Sequence, residues 1–119
     1  MKRSPIRSRS SSKSKRDELV CDRLCQELAV ARGACLSCGT SEGLAGHHLI
    51  PRRFKKYRHT ARNIVTLCCF CHANAHDKPK EFELWLCREH QDIWRWLKIN
   101  SRRAAQGLGP EPHATTAEK

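Results

Sequence analysis

Two pairs of cysteines bracket a group of histidines in this 119-residue chain. The cysteines form two C-x-x-C pairs, which are Cys35 with Cys38 and Cys68 with Cys71. The histidines lie between the pairs and just after the second one: His47, His48, His72 and His76. Two residues between thiolates allow both to reach one tetrahedral ion, so the cysteines predict a structural zinc site. The imidazoles predict a second, separate site.

The same eight cysteines are also compatible with a disulfide-rich secreted protein. The zinc-like spacing argues against this alternative, and so does the N-terminus, where serines and lysines replace the apolar segment of a signal peptide. No apolar run approaches the roughly 20 residues of a membrane span. We therefore expect a reducing cytoplasm and no membrane partner.

The histidines divide between metal binding and contact with a substrate. Neighbours in a strand point to opposite faces, so His47 and His48 are not expected to bind the same ion. His72 and His76 are four residues apart on a predicted helix and share one face. Three imidazoles leave a coordination position open, as catalytic sites require, and this division is typical of a metal-dependent enzyme.

The first helix is predicted to begin near Ser14 and Asp17, which form a weak capping box, and to end before Gly33. An apolar face of Val20, Leu24 and Leu28 recurs every fourth residue, and it is expected to be the buried face. Cys21 and Cys25, which the sequence places on this face, are expected to be small core residues rather than metal ligands.

The central segment alternates turns, strands and one short helix. The predicted elements are a turn-rich knuckle at 34–45, strands at 45–50 and 64–67, a loop at 52–62 and a helix at 71–76. The knuckle contains Gly39, placed to relieve strain after the second thiolate. The loop contains six bases and no acid.

Pro79 opens a last predicted helix that runs to about Asn100. All three tryptophans of the chain lie in it: Trp85, Trp94 and Trp96. Their helical spacing predicts packing against the first helix, and stacking on bases is the alternative.

The net charge of +11 suits a polyanionic partner. Residues 1–16 carry seven bases and no acid in a serine-rich context that predicts disorder. This arm either grips phosphates without sequence preference or only keeps the protein soluble. The predicted organisation is a basic tail at 1–16, a domain at 17–100 with its motif core at 33–78, and a flexible C-terminal tail at 101–119.

At this point the chain resembles the HNH endonucleases with their ββα-metal finger. Three segments carry the resemblance: Gly46-His47-His48-Leu49-Ile50-Pro51, Asn63-Ile64-Val65, and Leu67 to His72 with His76. Their spacings are similar to colicin-type DNases, and the two knuckles resemble the zinc-bearing HNH proteins of phages and restriction systems. The resemblance implies an α+β fold, a small zinc-stabilised ββα-metal finger flanked by an N-terminal and a C-terminal helix.

The resemblance also implies roles for individual residues. His48 matches the general base that takes a proton from the attacking water, and Asn63 matches the residue that holds the loop orienting it. His47, His72 and His76 match the ligands of the catalytic ion. The four knuckle thiolates match the structural Zn²⁺ set: Cys35, Cys38, Cys68 and Cys71. The implied activity is hydrolysis of DNA phosphodiester bonds, with products carrying a 5′-phosphate.

Two features depart from the family pattern. His47 replaces the more common aspartate, which leaves an all-nitrogen site better suited to Zn²⁺, Ni²⁺ or Mn²⁺ than to Mg²⁺, although Mg²⁺ stays possible. The loop after Pro51 is basic, and four of its residues are candidates for phosphate contact: Arg52, Arg53, Lys55 and Lys56. Their alternative is a solvated loop.

Three functions follow from these patterns. The leading one is an endonuclease with little sequence specificity that cuts DNA. The second is a zinc module that binds nucleic acid without cutting it, which would need neither His48 nor His76. The third is a helper nuclease in a phage packaging or recombination complex, which would depend on a phage or host protein partner.

Overall fold

The computed structural model describes residues 3–111, with side chains from residue 14 onward. The helices are α1 (Arg3–Ala31), α2 (Lys55–Arg58), α3 (Cys69–Asp77), α4 (Pro79–Glu89) and α5 (Gln91–Ala105). The strands are β1 (Leu44–His48) and β2 (Ile64–Cys68), and a 3-10 turn at Ala61–Asn63 precedes β2. The predicted α+β class and the ββα core flanked by helices are confirmed.

The two strands form one antiparallel hairpin. Its register pairs Leu44 with Cys68 at one end and His48 with Ile64 at the other. Residues 49–63 connect the strands, and they contain α2 and the 3-10 turn where the sequence predicted an irregular loop. A two-stranded sheet is marginal alone, so both of its faces need cover.

Helix α1 covers one face of the hairpin. Ile64 of β2 is buried against Cys25 and Ala29 of α1, and the Thr66 hydroxyl donates to the Ala29 carbonyl at 2.7 Å. Gly46 is the close point of approach, since a Cβ there would lie 2.8 Å from the Ile64 side chain and 3.3 Å from Ala29. The helix can approach β1 this closely only because Gly46 has no side chain.

The opposite face of the hairpin packs on α3 and on the two C-terminal helices. Val65 and Leu67 are buried there with Ala75 of α3. Phe82 and Ile93, from α4 and α5, pack against the same cluster. The hairpin therefore lies between α1 on one side and the three later helices on the other.

The predicted buried face of α1 is wrong. Val20, Leu24 and Leu28 are exposed, with Leu24 at 55%. The buried positions are instead Cys25 and Ala29. The physical reason is the close approach to Gly46, which admits small side chains but no leucine. Cys25 is thus a small core residue, as expected.

The start of α1 also differs from the prediction. The helix begins at Arg3, so the backbone of residues 3–16, expected to be disordered, is helical. Pro5 falls in the first turn, where proline is tolerated, and no glycine follows before Gly33. Gly33 ends the helix in the left-handed conformation with φ of 87°, as expected of a residue just past a helix.

The C-terminal helix is two helices rather than one. His90 interrupts it with φ −140° and ψ 68°. The break lets α4 and α5 both face one core, to which α4 contributes Leu86 and α5 contributes Trp96 and Leu97. Their partners there are Ile50 and Tyr57 of the connection, so the predicted packing of the tryptophans against α1 is wrong.

The predicted domain boundaries stay predictions, although helices cross both of them. α1 runs through residue 16, and α5 continues past residue 100 to Ala105. The chain then folds back, because the Glu111 N–H donates to the side chain of buried Asn100 at 2.8 Å. Residues 112–119 of the expected tail lie outside the described part of the chain. Within residues 3–111, no helix is long and apolar enough to cross a membrane.

Replacing Gly46 by alanine tests the contact between α1 and β1. The new methyl group would clash with the buried Ile64 side chain, so we expect a loss of about 1–3 kcal/mol in the free energy of unfolding. Urea denaturation measures it. Gly109→Ala is the matched control, since its Cβ would meet only the Lys56 side chain at 3.8 Å. Equal stability of the two variants would contradict the close contact.

Candidate functional site

The four knuckle thiolates converge at the open end of the hairpin. Cys35 and Cys38 lie in the turn before β1, Cys68 ends β2, and Cys71 lies in the first turn of α3. Their sulfur atoms all lie within 4.8 Å of one another. Sγ of Cys38 and Sγ of Cys68 are 3.7 Å apart, and a tetrahedral ion with sulfurs at about 2.3 Å has edges of about 3.8 Å. The arrangement therefore fits a zinc ion.

The first knuckle is shaped by its own backbone. The Cys35 N–H donates to the Thr40 carbonyl at 2.8 Å, and the Gly39 N–H donates to the Cys35 carbonyl at 2.9 Å. Gly39 has φ of 82°, which agrees with the role predicted for it. The Cys38 N–H points at the Cys35 sulfur at 3.4 Å. These contacts turn both thiols of the knuckle toward the same point.

The thiols differ in how easily they lose a proton. Burial alone would raise the pKa of Cys35, but the backbone N–H groups of Cys38 and Cys68 outweigh it and lower the pKa to about 6. Burial raises the pKa of Cys71 to about 12, and the neighbouring sulfur of Cys68 adds to this. Four thiolates this close repel one another, so a cation is what makes the fully ionised set stable.

Three imidazoles form the second cluster. The ligand atoms of His47, His72 and His76 lie within 4.8 Å of one another. The Nε2 atoms of His72 and His76 are 3.1 Å apart, a separation compatible with two nitrogens that are each about 2.1 Å from one ion. His47 comes from β1 and the other two from successive turns of α3. The structure thus brings together the trio that the sequence predicted.

The buried member of the trio is suited to metal binding. His47 is only 7% exposed, and its Nδ1 is buried without a hydrogen-bond partner among the described residues. Burial, followed by the positive charge that His72 and His76 would carry, lowers the pKa of His47 to about 4. The ring is therefore neutral at pH 7 and has a lone pair to offer. A bound cation would satisfy this otherwise unpaired atom.

His48 stands apart from the trio. Its Nε2 donates to the main-chain carbonyl of Arg58 at 3.0 Å. Because a carbonyl only accepts, this contact assigns the proton to Nε2 and leaves Nδ1 free to accept one. Burial is the main factor that lowers the pKa of His48, and the Arg58 carbonyl opposes it. The imidazole is thus neutral near pH 7.

Asn63 is fully buried at the end of the 3-10 turn, directly before β2. Its amide oxygen accepts from the Ile50 N–H at 2.7 Å. Its amide nitrogen donates to the carbonyls of Ile50 at 3.0 Å and Tyr57 at 3.1 Å. One side chain therefore holds the segment that follows His48 at two points, Ile50 and Tyr57.

All four histidines line one cleft of about 590 Å³. The cleft also contains residues that the sequence did not point to, notably Gln26 of α1 and Glu83 of α4. Glu83 accepts a hydrogen bond from Lys98 at 2.7 Å. Neither residue belongs to a motif, and only the packing of α1 and α4 brings them here.

Two of the four basic candidates in the loop have acidic partners on α1. Arg52 pairs with Asp22 at 3.1 Å, and Lys55 lies 3.6 Å from Glu18. Both basic side chains remain more than half exposed. Exposed pairs of this kind are weak, so both bases stay accessible to a phosphate.

The other two basic candidates contact their surroundings differently. The Arg53 guanidinium lies over the Phe54 ring, 4.8 Å from its centroid. Lys56 donates to the main-chain carbonyl of Gly107 at 2.6 Å. Arg53 thus keeps its charge without an acidic partner among the described residues.

The sequence did not point to three polar residues in α1 or directly after its end: Asp22, Gln26 and Arg32. Each contacts the backbone or the loop near a motif residue. Asp22 and Gln26 are four residues apart, which places them on one helix face. A polar face on an amphipathic helix ordinarily faces solvent, so the sequence pattern predicted exposure of these side chains rather than contact with the rest of the fold.

Comparison with known proteins gives one match. The model of the HNH endonuclease family matches residues 35–78. This range begins at the first knuckle cysteine and includes every candidate ligand and both proposed catalytic residues. No curated protein and no solved structure matches the chain. The resemblance inferred from the motifs is confirmed, and it connects the segment to a nuclease family and to metal binding.

Replacing Cys38 by serine tests the tetrathiolate site. We expect the variant to lose one zinc per chain and to unfold at much lower temperature, because structural zinc binding contributes on the order of 10 kcal/mol to folding in small domains. Elemental analysis and thermal melting measure both effects. Cys69→Ser is the matched control, since Cys69 is an exposed thiol outside the cluster. Unchanged zinc content in Cys38→Ser would refute the site.

Proposed function

We propose that the protein is a metal-dependent endonuclease that hydrolyses DNA phosphodiester bonds with little sequence preference. The observation that carries the proposal is the placement of the adjacent residues His47 and His48. His47 lies with two further imidazoles in a cluster that could hold a cation. His48 lies outside this cluster and donates to the Arg58 carbonyl. The match of residues 35–78 to the HNH endonuclease model supports the same function.

His48 is the proposed general base. Its Nε2 is occupied by the Arg58 carbonyl, so Nδ1 is the atom that accepts a proton from the attacking water. A pKa lowered by burial keeps the ring neutral at pH 7, and a neutral ring is the form that a base requires. Cleavage is therefore expected to fail at acidic pH, where His48 is protonated.

His47, His72 and His76 would hold the catalytic ion. When bound, a divalent ion supplies Lewis-acid stabilisation of charge on the phosphate and on the leaving oxygen. Three nitrogen ligands favour Zn²⁺, Ni²⁺ or Mn²⁺ over Mg²⁺. The trio lacks a carboxylate, and burial of His47 keeps its ring in the neutral, ligating form.

Asn63 is proposed to keep the base in position. Its hydrogen bond to the Tyr57 carbonyl fixes the peptide that directly precedes Arg58. The Arg58 carbonyl then accepts from His48. Asn63 thereby stabilises the orientation of a ring that it does not contact.

DNA is the proposed substrate because of the positive charge of the chain and the position of its basic side chains. The net charge is +11, and Arg52 lines the cleft itself. Basic side chains of the loop would contact the phosphates, and such contacts do not depend on the DNA sequence. The basic arm at 1–16 is proposed to add to this grip. Thiolate ligands persist in reducing compartments, so we also propose a cytoplasmic location.

A zinc module that binds nucleic acid without cutting it is the alternative. Such a module would need the four thiolates and the bases, but it would have no use for a buried His47 with an unpaired nitrogen. A helper role in a phage complex would retain the same chemistry and add a protein partner. The cleavage experiment below separates the first alternative from the proposal.

Replacing His48 by alanine tests the proposed base. We expect plasmid nicking to fall by about 10²- to 10⁴-fold, because general base catalysis contributes that range. The assay uses the zinc-loaded chain with a panel of Zn²⁺, Ni²⁺, Mn²⁺ and Mg²⁺. Zinc content and melting temperature should match the wild type.

Two results of this experiment would contradict the proposal. Nicking at the wild-type rate by His48→Ala would reject the assigned base. A wild-type protein that binds DNA but cuts it with none of the four ions would favour the non-catalytic zinc module.

Replacing Arg53 by alanine tests phosphate contact by the loop. In a His48→Ala background, where DNA should stay intact, we expect weaker binding and a salt dependence whose slope falls by about one unit. Fluorescence anisotropy at several salt concentrations measures both. An unchanged slope would show that Arg53 does not contact a phosphate.

A further inference from the structure

The backbone and the side chain of Arg58 together connect α1 to the proposed base, and the side chain contacts both Asp22 and, at 3.3 Å, Glu18 of α1. The main-chain carbonyl of Arg58 accepts the hydrogen bond from His48. Its side chain binds Asp22 of α1, with Nε donating to Oδ1 at 2.9 Å and Nη2 donating to Oδ2 at 2.6 Å. The guanidinium thus makes a two-pronged contact with the carboxylate, the geometry in which such pairs are strongest.

The Asp22 carboxylate is the centre of a small ion network. Besides Arg58, it accepts from His59 at 2.8 Å and from Arg52 at 3.1 Å. The side chains of Asp22 and Arg58 are only 18% and 16% exposed. The Arg58 contact is the main reason why the pKa of Asp22 lies well below its usual range, so the carboxylate is charged at any pH near neutral.

This network contacts a residue of the connection between the strands that the Asn63 side chain does not contact. Asn63 binds Ile50 and Tyr57 from inside the fold. The next residue, Arg58, is bound from outside by Asp22. The carbonyls of Tyr57 and Arg58 are consecutive acceptors, the first for Asn63 and the second for His48. Asp22 therefore contacts the side chain of the residue whose carbonyl accepts from His48.

Two further polar residues, Gln26 of α1 and Arg32 directly after its end, contact the backbone beside the site. Gln26 brackets Gly46, since its Oε1 accepts from the Gly46 N–H at 2.8 Å and its Nε2 donates to the Gly46 carbonyl at 3.4 Å. Arg32 donates to the carbonyls of Ile64 and Ala61, on either side of Asn63 in the chain. Each polar residue thus holds main chain next to a motif residue.

We propose that Asp22 is a positioning residue for His48, acting through the Arg58 side chain to hold the carbonyl that orients the imidazole. The inference rests on the proposed nuclease function. Asp22 lies outside residues 35–78, the range matched by the family model. The role is therefore one that α1 adds to the segment carrying the reactive groups.

The charges around Asp22 suggest one competing role, which the test must separate. Asp22 also neutralises Arg52, so it could serve only to weaken the grip on phosphate. Removing its charge would then strengthen DNA binding and leave the chemical step unchanged. A positioning role differs in the chemical step, which slows, while binding does not weaken.

The first experiment compares Asp22→Asn with the wild type and with Glu27→Gln. The control removes one charge from an exposed position on the same helix. Kinetics of plasmid nicking are measured on the full zinc-loaded chain. We expect kcat of Asp22→Asn to fall about 10- to 100-fold, as for other losses of supporting hydrogen bonds, with KM unchanged or lower. Glu27→Gln should resemble the wild type.

The second measurement reports on His48 directly and does not require cleavage. ¹⁵N NMR of the imidazoles distinguishes the ring form with the proton on Nε2 from the form with the proton on Nδ1. We expect one form in the wild type and in Glu27→Gln, and exchange between the two forms in Asp22→Asn. A role limited to stability or to phosphate binding would not change this signal.

Arg58→Lys provides a second route if Asp22→Asn does not fold at the assay temperature. Lysine keeps the charge but cannot bridge both carboxylate oxygens, so it should shift kcat and the His48 signal in the same direction. The inference is overturned if a folded variant of either residue keeps both the wild-type kcat and a single ring form of His48. A lower KM with unchanged kcat overturns it as well.

The two readouts also separate this inference from the proposed function. If the wild type cuts DNA with none of the ions tested, the nuclease proposal fails. The NMR comparison still decides whether Asp22 holds the His48 ring. If the wild type cuts and Asp22→Asn cuts equally fast with an unchanged ring signal, the nuclease proposal stands and the positioning role is rejected.

Discussion

The convergence of four thiolates at one end of a two-stranded hairpin is the constraint on which the rest of the structure depends. The hairpin is too small to be stable alone, and the cysteines connect the turn before β1, the end of β2 and the start of α3. A shared cation would lock these three pieces together. Once the start of α3 is held in this way, the positions of His72 and His76 on the helix are fixed relative to His47.

The pleat of β1 separates two chemical tasks within two residues. His47 faces α3 and is buried against His72, His76 and Phe82, and the Phe82 ring centroid lies 5.3 Å from that of His47. His48 is directed away from that cluster to the Arg58 carbonyl. Alternation along a strand thus provides adjacent positions for a candidate ligand and a candidate base, and neither ring competes for the place of the other.

Acidic side chains of α1 pair with some of the basic side chains in the loop after Pro51. The sequence suggested a loop whose charge is free for phosphate, whereas the structure places the acids of α1 among those bases. Asp22 alone contacts Arg52, Arg58 and His59. Some of the positive charge therefore has an internal role in fixing the loop, and the exposed remainder is available to a polyanion.

Local features were predictable from the sequence because local geometry determines them. The C-x-x-C spacing, the i, i+4 histidines and the short apolar runs led to the knuckles, the two strands and α3. The terminal position of Gly33 followed from its freedom to adopt a positive φ. The resemblance to HNH endonucleases added the grouping of His47 with His72 and His76, which come from two separate elements.

Contacts between segments that are distant in the chain could not be predicted from the sequence pattern. The apolar stripe of α1 predicted a buried Leu24, yet the helix buries Cys25 and Ala29, because its partner is a strand without a side chain at Gly46. The break at His90 and the packing of Trp96 on Tyr57 likewise depend on which surfaces meet. The amino-acid sequence by itself determined which groups can do chemistry. The tertiary structure alone decided that Asp22 and Arg58 meet across 36 positions of the chain, since no local spacing reports the close packing of a remote helix.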